Sequence, residues 1–454
     1  MKEVGKTSSP RAGRRKLDGS DNFSPINHKQ RTLYIKCRAF FLLKYITFQC
    51  KMYTCGVDER KMKNINLLLD SNKTSSQRIK VRKGTVIVQI KDELFTGNTV
   101  KKIAEKINAI HAQYGKQKIT IEFHLGNIEF IDKLTFVIFE CICYDLVHNY
   151  GHPVQVFMKV NVKGDIHTAG IKSSPLLLLS GTSKKSILKY PDKFKRDLYG
   201  SHFRRLVCDD EKAETNFLGR LYEEIDSFLK PFNVEATSRD AIANVITELV
   251  GNGCEHGAGD CLLDIDVAQN YHKLVENISD GNEYYGINIA VVNFSDILLG
   301  DGIYNNVLKN ENANLSERYM TVVKAYQNHR QLFNQDYTIK DFCNITTFQH
   351  RISGRPEVHT GGTGLTKLIQ SLEERSDAYR CYVVSGDRSI NFLKEMLEYD
   401  QQKWIGFNKE RDYINNPPGV DKYNNGVVSE TLMYMPGTAY NLNFVMKVES
   451  DDDE

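Results

Sequence analysis

The stretch that most constrains how this chain folds is residues 238–257, SRDAIANVITELVGNGCEHG. Its apolar residues recur at intervals of three and four, which is the period of an α-helix that buries one face. These residues are Ile242, Val245, Ile246, Leu249 and Val250. We expect the helix to have Thr237 or Ser238 as its N-cap and to end at Gly257.

The same stretch carries Glu248, Asn252 and His256 at intervals of four. Residues four apart lie on nearly the same face of a helix, so these three side chains are expected to point to one place. A carboxylate can orient and deprotonate a water molecule, and a carboxamide oxygen is a suitable ligand for Mg²⁺. The alternative is a solvated polar face on an ordinary surface helix.

A second motif lies about a hundred residues further on. Residues 359–365 read HTGGTGL and lead into an apolar-periodic helix that contains Leu368, Ile369 and Leu372. A glycine-rich turn that opens a helix presents backbone N–H groups to an anion such as phosphate. A glycine cluster alone is weak evidence for a phosphate site, since it is also typical of a simple turn. The two motifs in this order are more specific evidence.

The pair ELxxNxxxHG and GGTGL resembles the GHKL (Bergerat-fold) ATP-binding superfamily over residues 205–449. The resemblance implies ATP and Mg²⁺ as cofactors, with Glu248 as general base and Asn252 as magnesium ligand. It implies nucleotide binding by His256 and by the glycine box, which comprises Gly361, Gly362, Thr363, Gly364 and Leu365.

The adenine side of the expected site departs from the family pattern. Family members carry an Asp that binds the adenine amino group, whereas the strand at 286–294 has Asn293 at that position. Asp296 and Asp301 are displaced alternatives for that Asp. An Asn oxygen accepts an N–H less strongly than a carboxylate does. Thr438 resembles the family Thr that supports the adenine pocket.

Residues 80–165 alternate strand-like and helix-like segments, which predicts a small α/β domain. The turn at 130–133 resembles that of STAS domains, whose phosphorylatable members carry Ser or Thr there. Here Lys133 takes the place and Thr135 is the nearest hydroxyl. We therefore expect a binding module for a protein partner that is not phosphorylated at this turn; another kind of small α/β domain is the alternative.

The fold class expected for the whole chain is α/β (α+β). The STAS-like domain precedes a Bergerat-fold α/β sandwich with helices on one face of its sheet. Residues 166–204 are expected to be a connector, and residues 303–358 an ATP lid with two helices. Residues 1–75 are predicted to be a disordered basic tail; the alternatives are a membrane- or nucleic-acid-binding arm and a natural start at Met62. Residues 450–454 are expected to form an acidic tail.

Charge and cysteine content narrow the functional classes. The net charge is +3, but residues 1–61 contribute +9, so the remainder is mildly acidic and nucleic-acid binding is not expected. Ten scattered cysteines without metal-type spacing are expected to be free thiols in a cytoplasmic protein. No run of eighteen apolar residues occurs, so we expect no membrane association.

Three functions fit these features. The first is Mg-dependent ATP binding and hydrolysis in a nucleotide-switched regulator. The second is phosphoryl transfer to a protein Ser or Thr, as in anti-sigma-type kinases. The third is a non-catalytic, nucleotide-gated interaction protein, which Asn293 favours. A homodimer is compatible with each of them.

Overall fold

The structure is a computed structural model. It describes residues 62–73, 78–115, 117–158, 174–180, 184–208, 210–211, 214, 216–257, 259–268, 284–309, 315–355, 362–376, 381–421 and 426–447. Residues 61–454 form one compact unit. The expected acidic tail and residues 1–61 of the expected basic tail lie outside the described residues.

The N-terminal part is built on a parallel sheet. Its elements are α1 (Leu67–Asp70), β1 (Thr85–Gln89), β2 (Leu94–Phe95), α2 (Gly97–Tyr114), β3 (Thr120–Gly126), β4 (Glu129–Phe130), α3 (Lys133–Tyr144) and β5 (Val154–Met158). Strands β1, β3 and β5 pair in parallel in that order, and β2 pairs with β4. The side chain of Asp132 caps α3 by accepting from the Thr135 N–H at 2.7 Å. The alternation predicted for residues 80–165 is confirmed over the described part of that range, residues 80–115 and 117–158.

The second part is built on a six-stranded antiparallel sheet. Its elements are α4 (Lys184–Lys195), β6 (Arg196–Tyr199), β7 (His202–Val207), α5 (Phe217–Leu229), α6 (Ala236–His256), β8 (Cys261–Ala268), β9 (Tyr284–Asn293), α7 (Asp301–Ile303), α8 (Glu317–His329), α9 (Ile339–Thr346), α10 (Gly364–Arg375), β10 (Tyr382–Asn391) and β11 (Val428–Lys447). The strand order is β10-β11-β9-β8-β7-β6, and every neighbouring pair is antiparallel. The chain is therefore an α/β protein with both parallel and antiparallel sheets.

Both faces of the antiparallel sheet are buried at its central strand β8. All eight residues of β8 are buried: Leu263, Ile265 and Val267 join the core beneath α5 and α6, whereas Leu262 joins the core beneath the N-terminal elements. Helices α2 and α3 pack against the sheet from this second side. The expectation of helices on one face was incomplete, because the N-terminal part covers the opposite face.

Three predictions about segments of the chain need correction: the connector, the N-terminal tail and the lid. Residues 166–204 are more than a connector, since they contain α4, β6 and the start of β7, and the last two are sheet strands. Residues 62–73 of the expected tail are folded, with Met62 and Ile65 buried in the core beneath the N-terminal elements. The expected lid does contain two helices, α8 and α9. However, its residues Val322, Phe342 and Phe348 are buried in the same core as α5 and α6.

No helix in the described part of the chain is both long and apolar enough to cross a membrane.

Candidate functional site

Helix α6 forms one wall of the largest cavity we describe. The predicted helix is confirmed, but its N-cap is Glu235 rather than Thr237 or Ser238. The hydroxyl of Ser238 donates to the Glu235 carboxylate at 3.1 Å, so Ser238 lies within the first turn instead of before it. The helix ends at His256, and Gly257 is its C-cap as predicted.

The cavity has a volume of about 660 Å³, within the range of pockets that bind cofactors and other small ligands. Helix α6, strands β9 and β11, the return of the 303–358 segment and the start of α10 line it. Eight residues predicted from the two motifs and the adenine side are among those lining it: Glu248, Asn252, Asn293, Gly362, Thr363, Gly364, Leu365 and Thr438. The two motifs and the adenine-side strands, distant in sequence, therefore converge on one cavity.

Glu248 and Gly364 bring the two motifs into contact. Gly364 is the first residue of α10, and a Cβ there would overlap Oε2 of Glu248 and lie 3.2 Å from its Cδ. A carboxylate is favourably placed at a helix N-terminus, where N–H groups carry partial positive charge. Gly362 has φ of +81°, and its carbonyl accepts from the Arg351 N–H at 2.7 Å. The glycines thus allow α10 to begin directly against Glu248.

Asn293 and Thr438 form the opposite end of the cavity. They are directly paired on β9 and β11. Asn293 is 4% exposed, and its Nδ2 donates to the carbonyl of Asp260 at 3.0 Å. Its side-chain oxygen faces Gly257, where a Cβ would overlap it. The donor contact gives a physical reason for Asn at this position, because a carboxylate would face the Asp260 carbonyl without a proton to donate.

Several predicted site residues are not brought to the cavity or cannot be located. Asp296 is exposed and is not among the cavity-lining residues, so the structure does not bring it together with the other candidate residues. Asp301 accepts from the Leu298 N–H at 2.8 Å and closes a local turn. The side chain of His256 and the whole of Gly361 lie outside the described residues.

Glu255 and Arg355 are cavity residues that the two sequence motifs do not include. Both line the cavity, and Nη1 of Arg355 lies 2.7 Å from Oε1 of Glu255. The signal for Glu255 was present in the sequence, since it follows Asn252 by three residues and so shares its helix face. Thr347 and Asn306 also line the cavity, and no spacing rule pointed to them.

Away from the cavity, a cluster of charged side chains is buried between α3 and the antiparallel sheet. The ammonium of Lys133 contacts Asp264 at 2.5 Å and also contacts Asp266. Arg204 bridges Asp264 and Glu140. All five side chains are at most 7% exposed, so the charges compensate one another rather than water doing so.

His202 completes this cluster between Asp264, 3.2 Å from its Nε2, and Asp197, 3.5 Å from its Nδ1. Burial alone disfavours the imidazolium, but Asp264 and Asp197 outweigh burial and raise the pKa of His202 to about 9. Burial also opposes ionisation of Asp264, but Arg204 and Lys133 hold its pKa well below the usual range. His202, Asp264 and Asp266 have metal-type proximity, with ligand atoms within 4.8 Å, but the Lys133 ammonium already contacts both carboxylates, in the place that a cation would take.

A second, smaller cavity of about 280 Å³ lies between the N-terminal part and strands β10 and β11. Asp132 and Tyr382 line it. Burial raises the pKa of the Asp132 carboxyl despite its hydrogen bonds from Thr135 and Tyr382. The lining includes no cation among the described residues, so this cavity does not suit a phosphate.

Comparison with known proteins adds no relative. No protein-family model, curated protein or solved structure matches the chain. The family resemblances therefore rest on the sequence motifs alone.

Proposed function

We propose that the cavity binds ATP with Mg²⁺ and that the chain is an ATPase of the GHKL type, acting as a nucleotide-switched regulator. The observation that carries the proposal is the contact of Glu248 with Gly364, which joins the acid of one motif to the phosphate-type turn of the other. The cavity volume and the pairing of Asn293 with Thr438 at its far end support the same conclusion.

The residues fit the cofactors that the proposal requires. The carboxamide of Asn252 would hold Mg²⁺, and the metal would supply charge neutralisation for the phosphates. The N–H groups at the start of α10, from Gly364 onward, would bind phosphate oxygens. Glu248 would accept a proton from a water molecule held beside the phosphates, which is the role of a general base.

Phosphoryl transfer to a protein hydroxyl is the alternative within the same site. The STAS-like turn is a poor acceptor in this chain, because Lys133 pairs with Asp264 and Asp266 and Thr135 is 9% exposed. An acceptor would therefore belong to another protein. A non-catalytic nucleotide-gated protein would share the cavity but would not turn over ATP.

The partner and the location follow as parts of the proposal. Because the turn faces the antiparallel sheet, a protein partner of the N-terminal part would meet the outer face of the parallel sheet, where Ile87 and Phe157 are 54% and 40% exposed. A cytoplasmic location would supply ATP and reducing conditions. Homodimerisation stays a prediction.

The test is Mg-dependent ATP binding and hydrolysis by the full chain. We expect Glu248→Gln to keep nucleotide binding and to lose about 10²- to 10⁴-fold in turnover, the usual contribution of a general base. Asn252→Ala should weaken binding only when Mg²⁺ is present.

Matched controls are available on neighbouring surfaces. Glu223→Gln on α5 and Asn244→Ala, two turns before Asn252 on α6, change the same residue types outside the cavity lining. Turnover that is equal in all variants would contradict the assignment. ATP binding without turnover in the unmodified chain would select the non-catalytic alternative, and labelled phosphate on a second protein would select the kinase.

A further inference from the structure

An ion pair spans the mouth of the cavity. Glu255 lies on α6, and Arg355 lies on the return of the 303–358 segment, on the opposite wall. Nη1 of Arg355 is 2.7 Å from Oε1 of Glu255. The pair therefore connects the helix that carries Glu248 and Asn252 to the segment that covers the cavity.

Arg355 differs in the sign of its charge from the other charged residues described in the cavity lining. Among the described residues that line the cavity, the charged ones are Glu248, Glu255 and Arg355, so Arg355 is the single cation of that set. A phosphate chain brought into a cavity with two carboxylates needs positive charge nearby. The guanidinium is planar and donates two parallel hydrogen bonds, which matches the geometry of phosphate oxygens.

The pair is suited to exchange. The side chains of Arg355 and Glu255 are 42% and 61% exposed, and exposed ion pairs contribute little to stability because water and salt screen them. A polyanion therefore competes easily with one carboxylate for Arg355. A buried pair, such as Lys133 with Asp264, would not be displaced in this way.

We propose that Arg355 is a specificity-determining residue that exchanges Glu255 for the phosphate chain of a bound nucleotide. This inference rests on the proposed function and adds the side chain that binds the phosphates. Glu255 competes with the ligand, so it sets how tightly the cavity holds phosphorylated nucleotides.

The experiment measures the binding of adenosine, ADP and ATP to the full chain by calorimetry with Mg²⁺. We expect Arg355→Ala to weaken ADP and ATP binding by about 10- to 100-fold, the value of hydrogen bonds to a charged group, and to leave adenosine binding unchanged. Arg355→Lys should restore part of the loss. Glu255→Gln should strengthen ADP and ATP binding by roughly two- to fivefold, since it removes a weak competitor.

Lys340→Ala is the matched control. Lys340 makes an equally exposed ion pair with Asp387 at 2.7 Å, also from the 303–358 segment, and does not line the cavity. If Arg355→Ala leaves ATP binding unchanged, or weakens adenosine equally, the inference fails while the proposed function stands. If the unmodified chain binds no nucleotide, both fail.

Discussion

The carboxylate of Glu248 occupies the space that a side chain at Gly364 would need. One residue belongs to the middle of α6 and the other begins α10, so the contact fixes where the two helices meet. Everything proposed for the cavity depends on this meeting point, because it brings an acid to the N-terminus of a helix that follows a glycine turn.

Gly364→Ala tests that contact directly. The new methyl group would push the Glu248 carboxylate out of place, and we expect ATP turnover to fall roughly 10- to 100-fold while nucleotide binding changes less. Turnover and binding measured on the same preparation separate these effects. Gly97→Ala is the control, because a Cβ at this first residue of α2 meets no atom within 4 Å. Unchanged turnover in Gly364→Ala would show that the position of Glu248 is irrelevant.

Asn293→Asp tests why this position carries Asn instead of the Asp found in the family that the motifs resemble. The substitution removes the donor to the Asp260 carbonyl at a buried position, leaving two acceptors facing each other. We expect the free energy of unfolding to fall by about 1–3 kcal/mol. Asn305→Asp, the same change at an exposed position, should stay within about 0.5 kcal/mol. Urea denaturation measures both, and a more stable Asn293→Asp would contradict this explanation.

Lys133→Met tests the buried charge cluster. Removing the ammonium leaves Asp264 and Asp266 buried beside each other, and we expect a loss of about 3–5 kcal/mol in the free energy of unfolding. The same change at the exposed Lys340 should cost less than about 1 kcal/mol. Similar losses at the two positions would mean that water reaches the cluster.

His202 predicts how stability depends on pH. Its pKa is about 9 in the folded chain, above the value of about 6.5 expected when unfolded, so its contribution is complete below pH 6.5. That contribution is lost as the pH rises through 9, and its full size is about 3 kcal/mol. Urea denaturation between pH 6 and 9.5 measures it. His202→Gln should lack this decline, and a flat profile in the unmodified chain would contradict the role of the cluster.

The cavity was predictable because helical spacing and glycine chemistry are local properties. The interval between Glu248 and Asn252 fixes their shared face, and the turn before α10 carries its own signal. Predicting Thr438 as a site residue required only that its strand pair with the strand that ends at Asn293. The position of Asp296 outside the cavity lining was not predictable, because a sequence does not show which way the chain turns after a strand.

The charge cluster was not predictable in the same way. Asp264 and Asp266 alternate with apolar residues on β8, a pattern typical of a strand with one face in water. In the folded chain that second face is covered by α3, and Lys133 lies far away in sequence. Only the tertiary arrangement shows that these polar residues are buried.

The coverage of β8 on both sides limits how the chain can be divided. A truncated protein that starts at residue 205 would lose Lys133 on α3 and also His202 and Arg204, so Asp264 would lose these three partners beside an uncovered apolar surface. Such a fragment would be prone to aggregation whatever the state of its cavity. Biochemistry on this protein should therefore keep the two parts joined.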